Sequence, residues 1–542
     1  MIMDELTPES VVRAFKRAKD NRATWEGHWR DCYDYALPLR SQSMAKGAKT
    51  GDKLFDGTAP DAVDQLAASL LANLTPPWGR WVGLMPGTEL TPEQRERVAP
   101  VLDKIATVMQ SHFDRSNFAV EIHQCYLDLV TAGTASLMLE ENALGEASAF
   151  RFTAVPVFDV VFDSDASGRL QGTMRRMEMT ERELRQRYPQ APELDIRRGR
   201  DDLTFGDDRR IGVIEAVMPD DKGYHYMAVA EAGPGHGFEA TTLAEGRFKT
   251  SPFINFRWLK APGEIYGRSP VMKALPDIKT ANKVVELTLK NASIAVTGIW
   301  QADDDGVLNP ANIKLVPGAI IPKAVGSQGL TPLETPGRFD ISGIVLDNLR
   351  ERIRTSLLTD KLGQVSGPKM SATEVLERSA DMARLLGATF GRLQTELLNP
   401  LIDRAVAILR RRGEIPDVVI DGRTIDIDYK SPLARRQSQV EAQNAIAWVS
   451  AVTSLGPKAA YIIDDIRAAR WLADVFRVPG DLLRSDEQIE RLANGAPPMG
   501  AMPANLGALA QALETQLPSE QAAVNPAEAL ASVMMEGGPG HG

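Results

Sequence analysis

Three places in the chain gather side chains of the kinds that bind metals or move protons. His123 and Cys125 stand two residues apart. Asp163, Asp165 and Ser167 open with the spacing of a calcium loop, and Asp303, Asp304 and Asp305 run consecutively. Each falls short of the chemistry. Two residues along a helix turn through about 200°, so His123 and Cys125 face different sides and are expected to be core or half-buried residues. A calcium loop needs a bidentate glutamate at its twelfth position, where this chain has Met174. A turn between strands, with aspartates bonding their own backbone, is the plainer reading. The acidic triplet reads in the same way as a solvated turn.

Other reactive patterns are missing from the sequence. No G-x-x-x-x-G-K-[ST] offers a phosphate cradle, no G-x-G-x-x-G follows a strand, and none of the six histidines forms H-E-x-x-H. No G-x-S-x-G elbow occurs either. The pattern favours a structural or binding protein, with no catalytic residue, metal or cofactor expected. Lys and Arg number 62 against 72 Asp and Glu, a net charge of −10, so nucleic acid can be touched only locally. Hydrophobic residues make up 43% and charged residues 25% of 542 positions, enough for two to four folded units. Two cysteines, Cys32 and Cys125, cannot build a disulfide framework. No apolar run approaches the roughly 20 residues that span a bilayer. The N-terminal MIMDELTPES lacks a secretory pattern. A soluble protein made in a cytoplasm is expected.

These residues ride on an α+β framework that is mainly helical. Thr7-Pro8 reads as the start of a first helix, and a polar loop spans 41–52. A second helix from Thr58 buries Val63, Leu66, Leu70 and Leu74 and stops at Pro76-Pro77. Thr91 and Gln94 form a capping box for a third helix, and a fourth runs from Asn117 to Ala132. Seven short β-rich runs follow: Ser136–Glu140, Ala149–Val155, Phe158–Phe162, Thr173–Met179, Gly212–Met218, His225–Ala230 and Phe253–Trp258.

From Gly267 the organisation changes. Ser269-Pro270 caps a helix to Val296 carrying Ile278, Ala281, Val285, Leu289 and Ala292. A Gly-, Pro- and Asp-rich excursion leads to a helix from Asp340 that should bury Ile341, Val345, Leu349, Ile353 and Leu357. After the loop 361–370, Ser371 and Glu374 cap a helix of some forty residues bent at Pro400. At 1.5 Å per residue it would run to about 60 Å, too long for the core of a compact enzyme. A hairpin turning at Asp421-Gly422 is expected within 417–429. Helices follow near Trp448, at 462–471 and at 485–492, and the tail beyond 495 is expected to be disordered.

Several strings resemble the portal, or head-to-tail connecting, proteins of short-tailed double-stranded DNA bacteriophages. They are FDGTAPDAVDQLAASLLANLTPPWGRW at 55–81, FRWL at 256–259, EIYGRSP at 264–270, SATEVLER at 371–378 and LQTELLNPLI at 393–402. The resemblance implies the phage portal fold assembled as a ring, most often a dodecamer, at one capsid vertex of the virion. It implies a wing over 1–266, a stem helix over 267–296, a clip over 297–339 and a second stem helix over 340–360. A tunnel loop would occupy 361–370, the wing's spine helix and strand pair 371–435, the crown 436–494, and the low-complexity tail 495–542.

On that plan Lys361, Gln364, Ser366 and Lys369 would face DNA from the tunnel loop. Lys279, Lys283, Glu286, Lys290, Arg350 and Arg354 would be the stem's channel candidates, and Trp300, Asp303, Asp304 and Asp305 the clip's partner surface. A ring multiplies every such charge about a dozenfold, so sparse cations on an acidic background suit a duplex that must slide. The alternative is that the stem charges pair with one another and never meet DNA. Trp78 and Trp81 are expected inside each subunit's own core. The implied partners are double-stranded DNA without sequence specificity, the large terminase, tail adaptor and nozzle proteins, and the capsid and scaffolding proteins. Rival readings are a different head–tail ring or adaptor protein, or a DNA-processing enzyme.

Overall fold

A computed structural model of the chain describes residues 6–38, 54–164, 168–192, 210–231, 239–297, 300–302, 325, 330–332, 339–359, 389–416, 423, 425–429, 445–456 and 462–476. They form two compact units, residues 1–454 and 455–542. The described helices and antiparallel sheets make the fold α+β.

Helix α1 (Pro8–Ala36) begins where Thr7 and Ser10 exchange backbone and side-chain hydrogen bonds. Arg22, itself buried, donates to the carbonyls of Val157 and Val160 at 3.1 and 2.6 Å and pairs with Glu26. That contact seats α1 against the turn before β4 (Val160–Ser164). Helix α2 (Thr58–Leu74) buries all four expected apolar residues, each contributing about 1.5–3 kcal/mol by leaving water. It is followed by β1 (Val82–Pro86), which the sequence did not signal. The Thr91–Gln94 capping box starts α3 (Pro92–Arg115), and α4 (Phe118–Ala132) ends at Gly133 with φ +77°, a left-handed cap.

Among the described residues the strands form two two-stranded pairs and two larger antiparallel sheets. One is three-stranded, with β2 (Thr134–Glu141) between β3 (Phe150–Val155) and β9 (Phe253–Arg257). The other runs in chain order through β4, β5 (Leu170–Thr180), β6 (Arg210–Asp220), β7 (Gly223–Ala230) and β8 (Thr241–Phe248). The run TTLAEGRF of β8 lacks clean apolar alternation, which is why the sequence did not announce it. Asp163 of the calcium-like segment lies in β4 and Gly168 precedes β5, with Lys260 donating to the Gly168 carbonyl at 2.7 Å; Asp165 and Ser167 lie outside the described residues. Among the described residues no group of His, Cys, Asp or Glu is arranged to hold a metal.

A single large core joins α2, α4, the three-stranded sheet, the second half of α1 and the helix Asn399–Arg411. Trp81, Phe113, Phe118, Phe150 and Phe152 stack within it at centroid distances of 4.9–6.2 Å. Trp81 is buried as expected. Trp78 is not: it is 74% exposed, because it follows the two prolines that carry the chain off the end of α2.

The helix expected to be the spine is described from residue 389 and contains a π-helical segment, Gln394–Leu398, directly before Asn399-Pro400. Glu396 in that segment accepts from the backbone N–H and guanidinium of Arg257 at 2.6–3.1 Å, so the spine is bolted to β9. The strand β12 (Ile425–Tyr429) pairs antiparallel with β1. The expected hairpin partner at 417–422 lies outside the described residues, as do all of 371–388, with the Ser371–Glu374 capping box, and the tail after 476. In the second unit a helix covers Asp465–Phe476. No described helix is long and apolar enough to cross a membrane.

Candidate functional site

The strongest candidate site is the helix pair α6 (Pro270–Thr297) and α7 (Phe339–Ser356), which pack against each other. Ser269 starts α6: its hydroxyl accepts from the Met272 N–H at 2.9 Å and donates to the Thr131 carbonyl at 2.8 Å. Immediately before it, Gly267 donates to Thr134 Oγ1 at 2.8 Å. A Cβ on Gly267 would lie 2.1 Å from the Gly133 carbonyl oxygen, and one on Gly133 would lie 2.5 Å from that of Gly267. Two glycines therefore let the root of α6 touch the end of α4 backbone to backbone.

Burial runs in opposite directions along the two helices. Val271, Ala274, Leu275, Ile278 and Ala281 are buried near the start of α6, while Leu287 and Leu289 further on are about half exposed. In α7 and just beyond it, Leu349, Ile353 and Leu357 are buried, whereas Ile344 and Val345 are exposed. The expectation that Val345 is buried fails for this reason: it lies on the half of its helix far from the core. The Ile341 side chain lies outside what is described.

The charges of the pair are mostly matched. Lys279 reaches Asp31 on α1 at 2.6 Å and sits 5.5 Å above the Tyr35 ring. Lys283 and Lys290 share Glu286 at 3.0 and 2.6 Å, and those two hydrogen bonds hold its carboxyl below the usual range. Arg352 pairs with Asp277 at 2.9 Å and ties α7 to α6. Arg350 reaches Asp56 at 2.9 Å, beside the backbone N–H groups of Phe55 and Asp56 donating to Asn282 of α6. Burial pushes the Asp56 carboxyl up, but hydrogen bonds from Thr58 and Arg350 outweigh it and leave it lowered. Arg354 is exposed and has no ion-pair partner among the described residues. The partners Asp31, Tyr35, Asp56, Asp277 and Asn282 escaped the sequence reading, which has no signal for pairs up to nearly 300 positions apart.

Between the helices the chain turns back on itself. Trp300–Ala302 pairs antiparallel with Leu330–Pro332, with Trp300 opposite Pro332. Asp303, Asp304 and Asp305 lie outside the described residues, as do Lys361, Gln364, Ser366 and Lys369. Where α7 ends, Leu358 adopts φ +59°, a conformation that L-residues rarely take.

Comparison with known proteins finds relatives over most of the chain. The chain is 25% identical to the probable portal protein of Bordetella phage BPP-1 over 88% of its own length and 89% of that protein's. It is 24% identical to the portal protein of Salmonella phage epsilon15, over 90% and 91%. For the portal protein of Escherichia phage T7 the figures are 21%, with 76% of each chain covered. Among solved structures, a chain from the neck of a native gene transfer agent particle overlaps 75% of this chain and 90% of its own, at 13% identity and a loose TM-score of 0.36. The model of the family described as bacteriophage head to tail connecting protein matches residues 9–483. With that match spanning its helices, sheets and paired rods alike, this chain belongs to the bacteriophage head to tail connecting proteins and serves as a portal protein at the capsid vertex of the virion.

Proposed function

We propose that copies of this chain close into a ring, a dodecamer on the family's plan, whose axial passage carries viral DNA into the capsid and out again. The observation that carries this reading is the opposed burial of α6 and α7. Both helices root in the core and leave large apolar side chains bare at their far ends, a surface that a neighbouring copy would cover. A ring is built from heterologous contacts that close.

In this reading residues 1–266 with 371–435 form the wing, 267–296 and 340–360 the stem, 297–339 the clip, 361–370 the tunnel loop and 436–494 the crown. Lys361, Gln364, Ser366 and Lys369 face the duplex, with Arg354 the stem's unmatched cation. Lys279, Lys283, Glu286, Lys290 and Arg350 supply a neutralised wall behind it. Trp300 and the Asp303–Asp305 triplet belong to the surface that meets the large terminase during packaging and a tail adaptor afterwards. The chain itself does no catalysis; a separate ATPase drives the DNA.

Electron microscopy of the purified full chain tests the reading, with rings enclosing a central hole expected. Protomers that stay single at high concentration overturn it. Deleting 361–370 should then leave rings intact while impairing DNA packaging or retention, and loss of assembly instead would remove the tunnel assignment.

A further inference from the structure

The first half of α1 carries a cationic face that the channel does not use. Arg13, Lys16, Arg17 and Lys19 are all exposed. At 3.6 residues per turn the first three fall within about 100° of the helix circumference, and Lys19 flanks them. On the opposite side Val11, Ala14 and Phe15 are buried in a cluster with Val161, Met174, Ile214, Met227 and Val229 of the five-stranded sheet. The sheet thus holds the helix with its cations outward.

Two further observations separate this face from an ordinary solvated one. None of the four cations has an ion-pair partner among the described residues, although the chain carries more acids than bases. On the stem, by contrast, Lys279, Lys283, Lys290, Arg350 and Arg352 each have one. Glu9 and Asp20 are the nearby acids, and beyond Asp20 the same face continues through exposed Ala23, Thr24 and Gly27 without charge or bulk. The large apolar side chains exposed on this protein include none from α1. Protein interfaces anchor on buried aromatic and aliphatic groups, whereas a phosphate backbone asks only for cations.

We infer that this face of α1 docks on the phosphate backbone of duplex DNA outside the channel, without sequence preference. The inference rests on the reading that this protein handles the viral genome. Arg13 to Lys19 spreads four positive charges over about 9 Å of helix, at 1.5 Å per residue. The same length of duplex carries roughly five negative charges, at one per 1.7 Å. Glu9 and Asp20 lie on the same face and offset part of this charge, so the helix neutralises part of the phosphate charge alongside it and leaves the face net positive.

The test uses covalently closed circular duplex, which cannot thread a closed ring and so reports only the outer surface. Its binding by the assembled wild-type protein is compared with that of the variant Arg13→Gln, Lys16→Gln, Arg17→Gln, Lys19→Gln across a salt titration. The expected result is at least tenfold weaker binding by the variant at low salt, with a log–log salt slope shallower by about 3–4. Equal affinity and slope would overturn the inference. So would wild-type protein that ignores circles but binds poly-glutamate, which would assign the face to an acidic protein. Rings that fall apart on neutralisation would assign it to a contact between copies. Wild-type protein without rings strikes the channel reading instead, and leaves the comparison of the two proteins on circles intact.

Discussion

Arg350 donates to one carboxylate oxygen of Asp56, through Nε and a terminal nitrogen both at 2.9 Å, across 294 positions of sequence. Asp56 is buried, its other oxygen accepts from the Thr58 N–H, and the neighbouring Phe55 N–H donates to Asn282 of α6. Residues 55–58 therefore pin both α6 and α7 to the start of α2. Replacing Asp56 with alanine leaves the guanidinium without its anion and the Thr58 N–H without its acceptor. The expected cost is about 1–3 kcal/mol, moderated because Arg350 is itself partly exposed. A urea midpoint equal to that of the wild type would refute the pin.

The same carboxylate sets a pH dependence. Its folded-state pKa lies below the ordinary 3.8, so its stabilisation is fully present above that value and is lost as pH falls through the lower folded one. Wild type and Asp56→Asn should differ in stability above about pH 4 and converge in stronger acid. Denaturation curves at a series of pH values check it; a gap that widens below pH 4 would contradict the sign.

Glu396 and Arg257 predict a large single-residue loss. Arg257 is 3% exposed and spends its side chain on Glu396 and on the carbonyls of Gly168 and Ile265. Glu396→Ala strands a buried cation, at a cost of about 3–5 kcal/mol. A loss under 1 kcal/mol would mean that the bolt between the π segment and β9 is not formed in solution.

The glycine contact gives a paired experiment. Gly133→Ala forces a Cβ into the Gly267 backbone at a left-handed position, and loss of most soluble folded protein is expected. Gly391 lies on the exposed side of the spine helix with nothing within 4 Å of a new Cβ. Gly391→Ala should therefore stabilise by about 0.5–1 kcal/mol. Similar effects from both would remove the argument.

Leu289→Ser with Ile344→Ser probes the bare ends of the stem. Both side chains are more than half exposed, so protomer stability should move by no more than about 0.5 kcal/mol. Ring assembly, followed by sedimentation and microscopy, should weaken or disappear. Intact rings would show that neighbouring copies do not cover these residues.

Local signals in the sequence were legible where a short stretch decides the outcome. The apolar stripe of α2, the Thr91–Gln94 capping box and the alternation of β5 to β7 all read correctly, since helix faces and strand pleats repeat within a few residues. The pairing of β1 with β12 did not, because two five-residue strands more than 300 positions apart leave no mutual mark. Trp78 was read as core on residue type alone, which says nothing of the direction in which two prolines send the chain. On α6 and α7 the cations were visible in the sequence and their acids were not, since Asp31 on α1 and Asp56 just before α2 are brought close only by packing.

The pairing of Val82–Pro86 with Ile425–Tyr429 also sets a schedule for synthesis. At about 5–20 residues per second, roughly 17–70 s separate the emergence of the two strands from the ribosome. Throughout that interval β1 lacks its strand partner, and both α6 and α7 are made before β12 arrives. A nascent chain thus carries the bare apolar ends of α6 and α7 before its body is sealed. Premature association between unfinished chains is the hazard this order creates, and rapid capture of β1 by late-arriving sequence is what ends it.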